Sequence, residues 1–103
     1  MNRPWLAHYP EGVPHDVDPS QYRSLAALLE ESLRKNAKQP LSVCMERWMS
    51  YGQLDEYSSA LGAWLQSRGL EPGARVAVML PNVPQFLVTM AAILRAGCTV
   101  VNV

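Results

Sequence analysis

The fold is decided by residues 75–103, which read RVAVMLPNVPQFLVTMAAILRAGCTVVNV. The unbroken apolar run Val76–Leu80 predicts a strand that is covered on both faces, as strands of parallel sheets are. Apolar residues recur at helical spacing over Val83–Ala96, and Cys98–Val103 predicts a second buried strand. Strand, helix and strand joined by short connections form a parallel βαβ unit, whose crossover is expected to be right-handed.

Capping signals set the limits of two helices. Asn82 and Gln85 have the spacing of a capping box at the start of the helix over Val83–Ala96, and Gly97 ends that helix. Because Arg95 is the only charge in this helix, we expect its far face to stay in water and the chain to self-associate.

Upstream, another helix begins with a capping box, carries an apolar face and ends at a glycine. Ser50 and Gln53 form the capping box, and the helix ends at Arg68, before Gly69. The apolar face consists of Leu54, Tyr57, Leu61, Trp64 and Leu65.

The segment before this helix predicts a third helix and a hairpin. Ser24 is a candidate N-cap for an amphipathic helix that carries four leucines at helical spacing and ends before Pro40. Two short β-prone runs follow, Leu41–Met45 and Trp48–Tyr51. They predict a hairpin with Glu46 and Arg47 as its two-residue turn, although the usual glycine is lacking.

Prolines dominate the start of the chain, where four of the eight fall within the first 20 residues. Proline lacks a backbone N–H, so we expect an extended arm without helix or sheet hydrogen bonds of its own. Trp5, Tyr9 and Tyr22 are candidate anchors for docking this arm on another surface. The predicted organisation is an extended proline-rich arm over residues 1–20 and a partial α/β subdomain over residues 21–103. Because a natural domain rarely ends in mid-sheet, we expect the chain to be a fragment.

Composition excludes several classes of protein. Nine basic and nine acidic residues cancel and form no block, which argues against nucleic acid as a partner. Cys44 and Cys98 lack the spacing of a zinc site or a redox dithiol and are interpreted as small core residues. The chain shows neither a secretory signal nor an apolar run approaching the ~20 residues that span a bilayer. These features favour the cytoplasm.

No reactive constellation occurs in the sequence. His8 and His15 lie in the arm without metal-binding spacing, and Asp16 and Asp18 are interpreted as solvated turn residues. Gly69 and Gly73 flank a turn that leads into a strand, which is not the arrangement of a phosphate loop. The large apolar side chains are assigned to the core and not to an acyl pocket. They are Trp48, Trp64, Met45, Met49, Met79 and Met90.

Several motifs in order resemble the start of the acyl-adenylate-forming superfamily, which includes acyl-CoA synthetases, luciferases and peptide-synthetase adenylation domains. They are Met49–Glu56 (MSYGQLDE), Leu61–Gly69, Pro72-Gly73, Arg75–Ala77, Met79–Asn82 and Leu94–Gly97. Further positions in the arm look like the leader of bacterial long-chain fatty-acid CoA ligases, and the end of the chain is similar to the same subgroup. These are Trp5-Leu6, Tyr9-Pro10, Val13-Pro14, Asp18-Pro19, Tyr22, Ser24-Leu25 and Val100–Val103. Gln53, Ala74 and Cys98 depart from the family pattern, and none of the departures removes a reactive group.

This resemblance implies the amino-terminal fragment of a large adenylating domain. The full-length enzyme would use ATP and Mg²⁺ to turn a long-chain fatty acid into an acyl-adenylate and would then transfer the acyl group to CoA. The phosphate loop, the ribose-binding aspartate and the adenylation lysine would follow Val103, so we expect no catalytic, cofactor-binding or metal-binding residue here and no bound cofactor. The expected partners are the fatty acid and the remainder of the chain.

Other interpretations of the sequence stay open. A homodimer and peripheral contact with the inner face of the membrane are compatible with the resemblance. A stand-alone α/β interaction module and another acyl or aryl ligase of the same superfamily are the alternative functions. The sequence does not indicate an acyl chain length, because the acyl tunnel would be built mostly from residues after Val103.

Overall fold

The structure, a computed structural model, describes residues 2–103 as three α-helices, four strands and one 3₁₀ helix. In chain order the elements are the 3₁₀ helix Pro4–His8, α1 Leu25–Lys35, β1 Pro40–Cys44, β2 Arg47–Ser50, α2 Tyr51–Ser67, β3 Arg75–Val78, α3 Pro84–Arg95 and β4 Thr99–Asn102. This is the predicted α/β architecture, with helices and strands in the predicted order.

The second half of the chain forms the predicted βαβ unit. β3 and β4 pair in parallel, with Val76 opposite Val100 and Val78 opposite Asn102, and α3 lies between them in sequence. The pairing extends beyond the strands, because the N–H of Thr99 donates to the carbonyl of Ala74. The prediction of neighbouring parallel strands is confirmed.

Local capping signals give correct helix ends at α1 and α2. The hydroxyl of Ser24 accepts a hydrogen bond from the backbone N–H of Ala27 at the start of α1. Ser50 and Gln53 form the complete capping box of α2, each side chain accepting from the other's backbone N–H. Gly69 follows α2 with a φ of +85°, the left-handed conformation that a residue without Cβ adopts most easily.

The predicted capping box at α3 is wrong. Val83, and not Asn82, is the N-cap, and no side chain makes a capping hydrogen bond there. Pro84 explains the difference, because it occupies the first helical position, where its fixed φ suits the helix and its missing N–H costs nothing. The end of α3 is as predicted, with Gly97 at a φ of +82°.

The hairpin is present, but its turn lies one residue earlier than predicted. Cys44 pairs with Arg47, so that Met45 and Glu46 form the two-residue loop. Their φ angles are +51° and +67°, the pattern of a type I′ turn that matches the twist of the flanking strands. Left-handed conformation costs a residue with a Cβ about 1–2 kcal/mol, so strand pairing overrides the local preference of these two residues.

Helix α3 occupies the centre of the core and packs against α1, α2 and the parallel strands. Ala91, Ala92 and Ile93 are buried in its middle, and Gln85 is its one exposed residue. The expectation that a far face of this helix stays in water is therefore wrong. α1 and α2 cover the face that the sheet leaves free.

Several apolar residues that were assigned to the core are exposed. Met45 is 93% exposed, Met79 77%, Trp48 66% and Trp64 57%, whereas Met49 is buried as expected. Tyr57, which was placed on the apolar face of α2, is also exposed. The predicted strand Val76–Leu80 is observed as β3, Arg75–Val78, so Met79 and Leu80 lie outside it. It is covered on one face only, since Val78 is buried whereas Ala77 is exposed. Spacing alone did not reveal which apolar positions find a partner surface.

The proline-rich arm is not uniformly extended. Pro4–His8 form a 3₁₀ helix in which the N–H of Tyr9 donates to the carbonyl of Leu6, so the expectation of an arm without helical hydrogen bonds is wrong. Pro4 at the start of this turn supplies a suitable φ, as proline does at the first position of other helices. Residues 9–24 are exposed, and Arg3 folds the arm back by an ion pair of 2.8 Å with Asp16. The division at residue 20 stays a prediction.

Candidate functional site

The polar residues of the arm do not assemble into a reactive site. His8 and His15 are both exposed, and the ring of His15 contacts Tyr9 edge-on at 5.6 Å between centroids. Asp16 pairs with Arg3. Within residues 2–103, no group of three or more histidine, cysteine, aspartate or glutamate side chains could hold a metal ion.

Asp18 occupies a turn, as its sequence context indicates. Its carboxylate accepts hydrogen bonds from the hydroxyl of Ser20 at 2.6 Å and from the Ser20 backbone N–H at 2.9 Å. Both bonds favour the charged form and therefore lower the pKa of Asp18 below its ordinary value, the bond from the hydroxyl more than the bond from the backbone N–H. The side chain is fully exposed, so this is a local turn and not a buried acid.

The cysteines and glycines take structural positions. Cys98 is buried beside the turn that precedes β3, with its sulfur 3.9 Å from the carbonyl oxygen of Glu71, and Cys44 is half-buried. Gly73 has a φ of +86°, and its N–H donates to the carbonyl of Gly97 at 2.8 Å. This bond joins the loop before β3 to the loop before β4. Gly73 therefore has a structural role at the start of the two strands and does not bind a ligand.

Arg95 makes the densest set of polar contacts in the helical core, and sequence reasoning missed it. Its Nη1 lies 2.8 Å from Oδ1 of Asp55, 3.1 Å from the Asp55 carbonyl oxygen and 2.9 Å from Oγ of Ser58. The Nε atom lies 3.7 Å from Oε1 of Glu30. One side chain of α3 therefore contacts both α1 and α2.

The sequence contains only indirect indications of this cluster. Arg95 is the single charge of an apolar helix, and Asp55 and Ser58 are three residues apart, hence on one face of α2. Ser58 is completely buried, whereas the Arg95 side chain is 17% exposed. Because every polar group here has a partner within the cluster, the arrangement fixes helices and offers no free acid, base or nucleophile.

Two apolar grooves flank the start of α3. One has a volume of about 350 Å³ and lies between β1 and α3, where Val43, Cys44, Phe86 and Leu87 line it. The other, about 340 Å³, lies between α2 and α3. Both are lined mainly by apolar side chains, so they can bury apolar groups but present no set of residues for acid–base or nucleophilic chemistry.

The residues of the βαβ unit do not fit a nucleotide phosphate. Phosphate sites in such units use free backbone N–H groups at a helix start, reached by a glycine-rich connection. The connection from β3 to α3 contains no glycine, and its first helical residue, Pro84, has no N–H to offer. Magnesium likewise finds no carboxylate cluster within the described residues 2–103.

Comparison with protein families gives a match over most of the chain. The model of the family described as AMP-binding enzymes matches residues 29–103. A long-chain-fatty-acid–CoA ligase of Escherichia coli is 44% identical over the whole chain, which spans 18% of that relative's length.

None of the helices described in residues 2–103 is long and apolar enough to cross a membrane.

Solved structures agree with this match. The amino-terminal subdomain of NpsA from Klebsiella oxytoca, in complex with anthranilyl-AMSN, superposes with a TM-score of 0.77 at 26% identity. The matched region covers 86% of this chain and 23% of that one. The fatty acid AMP ligase from Legionella pneumophila gives a TM-score of 0.71 at 26% identity, over 85% of this chain and 16% of that one.

Proposed function

This chain belongs to the family of AMP-binding enzymes, and we propose that it is the amino-terminal segment of a long-chain fatty-acid CoA ligase. The observation that carries the proposal is the extent of the similarity. The family match begins at residue 29, whereas the similarity to the Escherichia coli ligase includes the arm as well. Triostin synthetase I of Streptomyces triostinicus is 40% identical over only 73% of the chain. The arm therefore favours the fatty-acid ligase subgroup.

The complete enzyme would activate a poor electrophile. A fatty-acid carboxylate resists attack because its charge is delocalised over two oxygens. Joining it to AMP at the expense of ATP, with Mg²⁺, releases pyrophosphate and gives a mixed anhydride with a good leaving group. The thiolate of CoA then attacks the carbonyl carbon and displaces AMP, which yields acyl-CoA.

In this proposal the present segment acts as scaffold. Its polar cluster at Arg95 fixes α3 between α1 and α2, and no residue in the connection from β3 to α3 fits a phosphate. ATP, Mg²⁺ and CoA would bind to the remainder of the enzyme. We place the enzyme in the cytoplasm, with contact at the inner face of the membrane where its apolar substrate resides.

A chimeric enzyme tests the proposal. Residues 1–103 replace the matched segment of the Escherichia coli ligase, and palmitoyl-CoA formation from palmitate, ATP and CoA is measured. The expected result is fatty-acid-dependent activity within about tenfold of the parent, because the segment contributes scaffold and not reacting groups. The matched control is the same ligase without its first segment, which should be inactive.

Two outcomes would contradict the proposal. A folded chimera that forms no acyl-CoA would show that the segment does not belong to such a ligase. A chimera that uses benzoate in preference to palmitate would assign the segment to an aryl ligase. The isolated 103-residue chain should show no ATP–pyrophosphate exchange with palmitate and magnesium, and exchange above a buffer blank would refute the scaffold role.

A further inference from the structure

One of the two apolar grooves follows the free edge of β1. Within the described residues 2–103, β1 pairs with β2 alone, so its other side has no strand partner. Three consecutive residues of β1, Ser42, Val43 and Cys44, line the groove. Successive side chains of a strand point to opposite faces, so three residues in a row share a groove where it follows the edge of the strand. The groove therefore lies between an open strand edge and the start of α3.

The backbone of Val43 is directed to this edge. In an antiparallel pair of strands, residue pairs that exchange two hydrogen bonds alternate with pairs that exchange none. Cys44 and Arg47 close the two-residue loop as a pair of the first kind, so Val43 and Trp48 form a pair of the second kind. The N–H and the carbonyl of Val43 consequently point away from β2. No hydrogen bond joins them to another element of residues 2–103.

Ser42 adds an unpaired polar group beside the same edge. Its hydroxyl oxygen is the one buried side-chain nitrogen or oxygen in the described part of the chain that lacks a hydrogen-bond partner. Buried polar groups of folded proteins are nearly always paired, because leaving them unpaired is unfavourable. A segment that pairs with β1 would bring backbone donors and acceptors next to this residue.

The rest of the groove is apolar and carries no charge. Its volume is about 350 Å³, and its other wall consists of Asn82, Val83, Pro84, Phe86 and Leu87. A charged group placed there would lose its hydration without gaining an ion-pair partner, whereas an apolar side chain would leave water. The groove thus fits an uncharged, apolar occupant.

We propose that β1 binds an extended, uncharged peptide segment of a partner protein as a third strand, with an apolar side chain of that segment in the groove. Strand addition draws its affinity from main-chain hydrogen bonds and its specificity from pockets for alternate side chains, and the edge at Val43 offers both. Pro40 and the irregular register between Pro40 and Ser42 restrict the pairing to the half of β1 next to the loop.

A matched pair of short peptides tests the strand addition. The probe is acetyl-Val-Val-Val-N-methylamide, added to the nitrogen-15-labelled 103-residue chain, and the control carries a methyl group on each of its three valine nitrogens. The probe should shift the amide signals of Val43 and Leu87 saturably. The control has the same side chains but fewer donors, so we expect it to bind at least about tenfold more weakly. Equal binding of the two would show that the groove takes up apolar groups without strand pairing and would overturn the proposal.

Two variants of Val43 test the edge from the side of the protein. Val43→Pro removes the N–H that points away from β2, so the hairpin keeps its own hydrogen bonds, and Val43→Ala keeps that N–H. We expect Val43→Pro to weaken binding of the probe by about tenfold and Val43→Ala by less than about threefold. Circular dichroism in urea shows whether both variants fold. If Val43→Pro unfolds, the comparison of the two peptides decides alone. Equal affinities of two folded variants would refute the edge pairing.

Alkylation by iodoacetamide identifies the occupant of the edge. Cys44 is half-buried and lines the groove, whereas Cys98 is buried and serves as the slow reference. The probe should slow the alkylation of Cys44 in the isolated chain and in the chimera with the Escherichia coli ligase. A chimera whose Cys44 is protected without the probe would assign the edge to the ligase's own polypeptide. Protection in an isolated chain that light scattering shows to be dimeric would assign it to a second copy. Either result overturns the proposal, whereas palmitoyl-CoA formation by the chimera reports the proposed function separately.

Discussion

Replacing Arg95 by methionine removes the polar cluster that ties α3 to α1 and α2. Methionine keeps most of the aliphatic volume and is a good helix former, so the change isolates the loss of the guanidinium. The Nη1 atom contacts Oδ1 and the carbonyl oxygen of Asp55 and the hydroxyl of Ser58, all within 3.1 Å. The free energy of unfolding should therefore fall.

The magnitude follows from the exposure of each partner. Ser58 is completely buried, and without Arg95 its hydroxyl would keep only the 3.3 Å bond that it donates to the carbonyl oxygen of Asp55. A buried polar group that loses a partner costs roughly 1–3 kcal/mol. The carboxylate of Asp55 is 42% exposed and that of Glu30 51%, so water replaces the guanidinium for both and their share is small. We expect a loss of about 2 kcal/mol, which is a large fraction of the stability of a domain of this size.

Urea unfolding followed by circular dichroism measures this loss. Arg34→Met is the matched control, because Arg34 is an exposed residue in the last turn of α1 and should cost less than about 0.5 kcal/mol. Asp55→Asn, which keeps the backbone carbonyl and the serine contact, should lie between the two variants. Equal stability losses in Arg95→Met and Arg34→Met would refute the assigned role of the cluster.

Three further perturbations test local features of the structure. Glu46→Gly should raise the free energy of unfolding by about 1 kcal/mol, because glycine adopts the left-handed conformation of the turn without strain. Glu46→Ala should not raise it. Equal unfolding free energies of these two variants in urea titrations would contradict the type I′ turn. Gly52→Ala should lower the free energy of unfolding by roughly 1–3 kcal/mol despite the better helix propensity of alanine, because the added Cβ would lie 2.8 Å from the carbonyl oxygen of Ala37. An unchanged melting temperature would show that this carbonyl moves aside. Carbon-detected NMR titration should give Asp18 a pKa below that of an ordinary aspartate, and Ser20→Ala should raise it. The lowered pKa means that the stabilising contribution is present at neutral pH and is lost as the pH falls through the pKa of the folded state; a titration unaffected by Ser20→Ala would refute this cause.

The parts of the fold that the sequence predicted correctly depend on local patterns. The capping box of Ser50 and Gln53 and the glycines at 69 and 97 act within one turn of a helix, so neighbouring residues suffice to place them. The apolar run after residue 75 and the helix that follows it allow few arrangements other than a parallel pair. The right-handed crossover stays a prediction.

The errors arise where one local signal competes with another or where a partner surface decides. At α3 the spacing of Asn82 and Gln85 suggested a cap, but Pro84 fixed the start one residue later. Trp48 and Trp64 lie at spacings that suit a core, yet both are exposed because no element of the described residues covers their side of the hairpin or of α2. Hydrophobic spacing identifies an apolar face but not what lies opposite it.

The Arg95 cluster could not be predicted from spacing, because the hydrogen-bond partners of Arg95, Ser58 and Asp55, lie 37 and 40 residues away in sequence. The contact exists only once α2 and α3 pack side by side, at a distance set by the buried Gly62 facing the carbonyl oxygen of Ala92. A charge in an apolar helix is nonetheless informative, since burying it requires a partner. In such a helix, a single arginine indicates that an acidic or hydroxyl face of another element will pack against it.

Helix α3 determines what this segment can contribute to a larger enzyme. One side of it carries the parallel sheet, and its other sides contact α1 and α2, so the position of the sheet follows from the position of this helix. Arg95 holds its last turn, while Pro84 at its first turn withdraws the N–H that a phosphate would use. The side-chain contacts of Arg95 are thus directed inward, to other helices, whereas Ala77 and Val101 are exposed on the side of the sheet that faces away from α3. In the function proposed above, a segment built in this way positions a sheet for chemistry that other residues perform.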